Sequence, residues 1–243
     1  MHIIKLDAID STNSYLKTLS SSSVLEDFTV VTAKTQTQGR GQMGTHWQAD
    51  SEKNLTMSVY KQFSGVALEQ QFYISTATAL AIVSTLSRFT IPRLFVKWPN
   101  DILSDTKKVC GILIENVIKQ DTLVASVIGI GLNINQTEFK AVPNASSMRL
   151  INGTVFNVDE VLHTLLKELE KTYNRLENGD FLNLKKDYEK RLFRKNKPST
   201  FKTAEGDLFS GFIECVTNSG NLQLRLEDNE IREFGLKDIT LLY

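Results

Sequence analysis

Three stretches of the chain concentrate side chains able to handle charged small molecules: Gln36 to Trp47 (QTQGRGQMGTHW), Lys97 to Asp101 (KWPND) and Lys108 to Glu115 (KVCGILIE). From Ile128 they are followed by IGIGLNIN. Arg40, Lys97 and Lys108 supply fixed positive charge, and the glycines among them let the backbone approach a ligand closely. Glycines, amides and cations in this combination suit a carboxylate and a phosphate handled together.

In the first stretch Gly39, Gly41 and Gly44 predict a loop with φ > 0 at the glycines, with the Arg40 guanidinium as a fork of donors for an anion. The letters also spell G-x-G-x-x-G. A dinucleotide fingerprint needs a helix opening from the glycines and an acidic residue about 20 positions on. Here the loop runs through THWQADSEKN into the alternating LTMSVY of residues 55–60, a strand pattern, so that reading is rejected. Taken alone, the segment can also be read as a surface β-hairpin loop.

The elements that must position these residues follow from periodicity and punctuation. Residues 1–9 predict a strand. Asp10-Ser11-Thr12-Asn13 offers N-caps for a short helix through SYLKTL, and Ser11 and Thr12 serve either as caps or as ligand contacts. FTVVTA (28–33) and NLTMSVY (54–60) read as strands, and Glu69 to Phe89 as a helix. LFVKW, VCGILIENVI and TLVASVIGIGLNI are β-branched runs suited to central strands, with KQDT as the turn between the last two. Residues 159–178 show apolar residues at spacings of three and four, acids in the first turn and Gly179 beyond the end, the mark of a helix. DFLNLKKDYEKRLF follows as a second amphipathic helix. KNKPST reads as a linker, and the remaining residues as four or five short strands forming a small closed or half-closed barrel. The basic run Lys185 to Lys197 is a solvated face or a contact for an acidic partner.

At 243 residues the chain can bury a substantial core, and 28 basic residues against 28 acidic ones leave no global field for nucleic acid or membrane. Function must lie in a local site. The start, MHIIKLDAIDSTN, lacks the plan of a signal peptide, and no window reaches the length of a membrane span, so the expected compartment is the cytoplasm. Cys110 and Cys215 form no C-x-x-C and read as reduced thiols. His2, His46 and His163 lack zinc-ligand spacing, and neither G-x-S-x-G nor a Walker loop is present.

The four motifs, in this order and opened by Ser11-Thr12-Asn13, closely resemble biotin protein ligase, the family of enzymes that attaches biotin to carboxylases; the resemblance covers nearly the whole chain. It implies an α/β (α+β) fold of the class II synthetase-like, biotin/lipoate ligase type. A catalytic domain over residues 1–194 would hold a central mixed β-sheet with flanking helices, and residues 195–243 would form a small SH3-like β-barrel. Some members carry an N-terminal helix-turn-helix domain and repress transcription. This sequence opens on the catalytic domain's first strand, so no DNA-binding role is expected.

The chemistry so implied has two steps. Biotin's carboxylate must first become a mixed anhydride with AMP by attack on the α-phosphate of ATP, which needs fixed cations and Mg²⁺ on the phosphates. Arg40 and Lys108 are the expected catalytic cations. For biotin the resemblance implies Ser11, Thr12, Asn13, Gln36, Gly39, Arg40, Gly41, Gln42, Lys108 and Gly111, with the ureido ring paired by Ser11, Thr12 and Gln36. For the nucleotide it implies Arg40, Trp47 as the adenine stack, Lys97, Asn100 and Asn133. Asp101 would orient Mg²⁺ or the incoming amine, although Asn100-Asp101 reads equally as a turn; Trp98 is expected in the core. No metal is expected to be held by protein groups alone. The acceptor is a lysine of a carboxylase's biotin carboxyl carrier domain, with no membrane partner and a homodimer as one possible assembly.

The chain departs from the commoner family pattern GRGRxGRxW at Gln42 and Thr45, where arginines are frequent, so the loop should hold the adenylate with less charge. Two rivals stay open. A lipoate or octanoate ligase shares the architecture without needing ureido partners, and a non-catalytic biotin sensor would release no pyrophosphate.

Overall fold

The computed structural model describes residues 2–140 and 142–243. Aliphatic and β-branched runs form β1 (His2–Ile9) and β2 (Thr29–Gln36), paired in parallel from His2↔Thr29 to Ile9↔Gln36. β3 (Leu55–Gln62), β4 (Leu94–Lys97), β5 (Asp101–Ser104), β6 (Lys107–Lys119) and β7 (Thr122–Leu132) complete a seven-stranded mixed sheet of order β1-β2-β3-β7-β6-β5-β4. All its other neighbours are antiparallel. The β6–β7 hairpin turns at Gln120 and Asp121, both with positive φ (48° and 56°), as the twist of a tight hairpin requires.

One face of this sheet is buried beneath helices. Met57, Val59, Ile112, Ile128 and Ile130 join α2 (Phe72–Arg88) and α4 (Val158–Glu177) in the main core. α2 is apolar around most of its circumference because it also packs on α4, where Thr78 Oγ1 and Tyr173 OH meet at 2.9 Å and Ser84 donates to Glu168 at 2.7 Å. α4 is capped by Asn157, whose Oδ1 accepts from the Asp159 and Glu160 amides. α3 (Met148–Asn152) and α5 (Phe181–Lys190) complete the helices.

The other face is covered only in part, by α1 (Thr12–Ser22), whose fully buried Leu16 packs with Val31, Tyr60 and Val127. That burial is worth about 2 kcal/mol. Ser11 caps α1, its Oγ accepting from the Ser14 amide. Beyond the reach of α1 this face is left to the loop between β2 and β3.

β8 (Pro198–Thr203), β9 (Leu208–Val216), β10 (Leu222–Leu226), β11 (Ile231–Phe234) and β12 (Ile239–Leu242) form an antiparallel sheet of order β11-β10-β9-β8-β12. Among the described residues β11 and β12 remain its two edges, so strand pairing does not close the sheet into a barrel. Its Phe201, Phe209 and Phe234 rings stack in sequence at 5.5 Å spacings. The segment leading into it is fastened to the main body by Val96, which bonds the backbone of Arg191 and Phe193, and the sheet itself by Trp98, whose Nε1 donates to the buried Gly220 carbonyl at 2.9 Å. Trp98 is thereby a core residue, 8% exposed.

Several boundaries differ from the sequence expectation. The helix expected from Glu69 begins at Phe72 after a 3₁₀ turn over Leu68–Gln70. Asp101 starts β5, a strand too short to announce itself, and α3 spans only five residues. The linker expected over KNKPST contains the start of β8, because Pro198 and its neighbours pair with β9.

Candidate active site

The loop between β2 and β3 folds back as a miniature hairpin over the open sheet face. Gly41 N donates to Thr45 O at 2.7 Å, Trp47 N donates to Gly39 O at 2.9 Å, and Arg40 bridges His46. Of the three glycines only Gly44 takes positive φ (79°), with Met43 beside it at 56°. Gly39 and Gly41 are needed for a different reason: a Cβ would strike the Trp47 carbonyl at the first and the Thr45 hydroxyl at the second.

This hairpin sets Trp47 onto the sheet. Gly111 and Gly131 are register partners on β6 and β7, and the indole lies across both, so close to Gly131 that no Cβ could stand there. Trp47 Nε1 is buried without a partner. The two glycines thus make a flat floor wide enough for one ring. Two residues along β7, Gly129 leaves the space filled by the Asn13 side chain.

Around this floor runs a cavity of about 390 Å³, a size that suits a small-molecule ligand. At its polar end the Thr12 amide and hydroxyl both donate to Gln36 Oε1, at 2.8 and 3.0 Å. Ser58 Oγ lies 2.8 Å from Thr12 Oγ1 and 2.5 Å from Asn13 Oδ1. Ser11, Thr12 and Asn13 are each 3% exposed, so these bonds are shielded from water. Asn13 Nδ2 continues the chain to Leu113 O and to Glu115 Oε2 at 3.0 Å.

At the opposite end stand the lysines. Lys108 Nζ pairs with Asp101 Oδ1 at 2.6 Å, and Lys97 Nζ lies 3.7 Å from Asp101 Oδ2. A register shift where β5 meets β6 makes Val109 and Cys110 both fully buried, and brings Lys108 and Gly111 to the same side. Without that bulge, strict alternation would send Lys108 away from the cavity. Lys108 Nζ also stands 5.6 Å from the Trp47 ring centre, and Lys97 Nζ 5.2 Å from that of Tyr243. Residues 239–241 of β12 close the far wall.

Comparison with known proteins places the chain in a family. The sequence profile of the biotin/lipoate A/B protein ligase family matches residues 6–133. The biotin–[acetyl-CoA-carboxylase] ligase of Mycobacterium tuberculosis is 30% identical over 88% of this chain and 79% of its own length. The chain belongs to the biotin/lipoate A/B protein ligase family. The bifunctional ligase/repressor of Bacillus subtilis is 29% identical over 99% of this chain and 74% of its own length. The fold is similar to that of the Aquifex aeolicus biotin protein ligase solved in complex with biotin and ATP, with a TM-score of 0.83 at 24% identity over 99% of this chain and 98% of that one.

In this family member the cavity gathers most of the residues singled out from sequence: Ser11, Thr12, Asn13, Gln36, Arg40, Gly41, Gln42, Trp47, Lys97, Asn100, Asp101, Lys108 and Gly111 all line it. Gly39 and Asn133 stand outside the lining. Asn133 is buried behind Lys108, its Nδ2 donating to Ser146 O at 3.0 Å and its amide to Val109 O. It secures the segment whose Asn144 carbonyl and Ser146 amide bond the Lys108 backbone. Asn100 turns its Nδ2 to Ile112 O at 2.8 Å, tying the KWPND segment to β6.

Arg40 lines the cavity, yet its guanidinium ends on Glu115, at 2.6 and 3.3 Å to the two oxygens. Lys17 adds a third cationic contact at 3.3 Å. Burial pushes the Glu115 carboxyl up, but bonds from Asn13, Arg40 and Lys17 outweigh it and hold it below the usual glutamate range. Sequence reasoning passed over Ser58 and Glu115. The signal for Glu115 was the period of two, which puts Gly111, Leu113 and Glu115 on one face of β6. Ser58 becomes visible only when β3 is paired opposite Gly129.

Proposed function

We propose that this chain is a biotin protein ligase that joins biotin and ATP as biotinyl-5′-AMP, releasing pyrophosphate. It then transfers the biotinyl group to a lysine of a carboxylase's biotin carboxyl carrier domain. The observation that carries this reading is one continuous cavity lined at one end by Ser11, Thr12 and Gln36, with Ser58 behind Thr12, and at the other by the Lys97–Asp101–Lys108 cluster. The first end suits a ureido ring, which offers one carbonyl and two N–H groups and must find a partner for each. A linear acyl chain has no use for these groups. The relatives named as biotin ligases support the same assignment.

In the first step a biotin carboxylate oxygen attacks the α-phosphorus of ATP and pyrophosphate leaves. Lys108 offsets the charge that builds up where the two anions meet, and Lys97 serves the phosphates. The Trp47 indole walls the join between the halves. In the second step the acceptor's neutral amine attacks the anhydride carbonyl, AMP leaves, and Asp101, the one carboxylate among the described residues that line the cavity, takes the proton.

Among the described residues no cluster of three or more His, Cys, Asp or Glu could hold a metal. That donor set fits a Mg²⁺ brought in on the triphosphate, with Asp101 as its protein contact, where it would neutralise phosphate charge. Residues 1–194 act as the catalytic domain, and residues 195–243 close the far wall.

Biotin-dependent ATP–pyrophosphate exchange with Mg²⁺ tests the reading, with lipoate and octanoate in parallel. Exchange with biotin alone is expected. Exchange with lipoate in its place would move the chain to the sister branch, and none with any acid would overturn the adenylation step.

A further inference from the structure

Arg40 is the residue whose sequence role and structural setting diverge most. It was expected to meet the ligand's negative charge, yet its two terminal nitrogens are both bonded to Glu115, which lies outside the cavity lining. A guanidinium neutralised by a bidentate carboxylate has little charge left to offer a second anion. The lysines at the far end already meet that need.

What Glu115 holds together is more telling. Through Arg40 it grips the root of the glycine hairpin, between Gly39 and Gly41. Through Asn13 Nδ2 it grips the first turn of α1, which carries the Thr12 amide and hydroxyl that bond Gln36. Glu115 itself stands on β6, four residues beyond the Gly111 floor. Three parts of the ligand enclosure are therefore fastened to one half-buried carboxylate: the lid-forming loop, the polar end and the floor strand.

We propose that Glu115 is a positioning residue that clamps Arg40, and with it the Gly39–Trp47 hairpin, to the sheet, so that Arg40 shapes the biotin enclosure through Glu115 and is not a catalytic cation. The proposal rests on the biotin ligase reading, which wild-type exchange tests separately. A loop held by this clamp spares the ligand the ordering cost, so losing the clamp should weaken binding and leave the chemical step alone.

The test is steady-state ATP–pyrophosphate exchange on the full chain as wild type, Arg40→Met, Glu115→Gln and the double variant, with thermal melts as a check on folding. Arg40 is exposed, so its substitution leaves the core intact and decides the matter even if Glu115→Gln folds poorly. Each single variant should raise the KM for biotin about tenfold while kcat at saturating biotin stays within about twofold. The double variant should be no worse than Glu115→Gln alone, because the Arg40–Glu115 bond is already lost in that single variant. A kcat reduced by a hundredfold or more in Arg40→Met with KM unchanged, or effects that multiply in the double variant, would overturn the proposal. Wild type without biotin-dependent exchange would overturn the ligase reading and the clamp's role in it together.

Discussion

Lys108 Nζ and Asp101 Oδ1 lie 2.6 Å apart across the β5–β6 junction, and Lys97 approaches the second oxygen of the same carboxylate. The pairing holds both ammonium groups at the cavity end. A Lys108→Met variant keeps the stem and loses the charge, and Asp101 keeps Lys97 as partner. Biotin-dependent exchange should fall by about a hundred- to a thousandfold, the usual loss for one preorganised charge at a reacting centre. Near-normal exchange, with an unchanged melting curve, would remove Lys108 from the chemistry.

Gly131 tests the floor. A Gly131→Ala variant places a methyl where the Trp47 indole lies, so the ring must lift and the hairpin with it. Biotin affinity should drop about tenfold or more. The tryptophan emission should shift to the red as Nε1 reaches water, since Trp98, the other tryptophan, stays buried. Unchanged emission would mean that the ring keeps its seat.

The hold of the second sheet depends on Trp98. Trp98→Phe keeps most of the buried surface but leaves the Gly220 carbonyl without its donor. Urea unfolding should show a loss of about 1–3 kcal/mol. A loss well under 0.5 kcal/mol would show that the bond adds nothing net.

Acid should release the Glu115 clamp. Its carboxyl sits below the ordinary glutamate value in the folded chain, because the bonds from Asn13, Arg40 and Lys17 together outweigh burial. The stability it contributes is therefore complete above the unfolded value of about 4.3 and is lost as pH falls through the lower folded value. The stability gap between wild type and Glu115→Gln should be flat from about pH 7 to 5.5 and should close below about pH 4. A gap that widens in acid would contradict this assignment.

The loop's missing arginine yields a prediction on product retention. Gln42→Arg adds a cation to a cavity-lining position and should slow the release of free biotinyl-AMP, measured by rapid filtration. A variant that leaks as much as wild type would show that Gln42 does not limit retention.

The sequence alone determined the long elements and the chemistry they serve. Ala- and Leu-rich composition marked α2, apolar spacing marked α4 and β-branched runs marked β6 and β7, because each of these signals is local and extends along many residues; the chemistry was implied by the resemblance of the motifs to the biotin protein ligase family. Tertiary structure decided what depends on distant pairs. β5 and α3 are too short to carry a period, and the open edges of the second sheet follow from which strands meet. The bulge that turns Lys108 inward arises between β5 and β6, and the Trp47 seat needs Gly111 and Gly131 to fall in register. Arg40 shows the difference most plainly: its residue type speaks of an anion, but only the fold reveals that the anion is Glu115, a side chain 75 positions away.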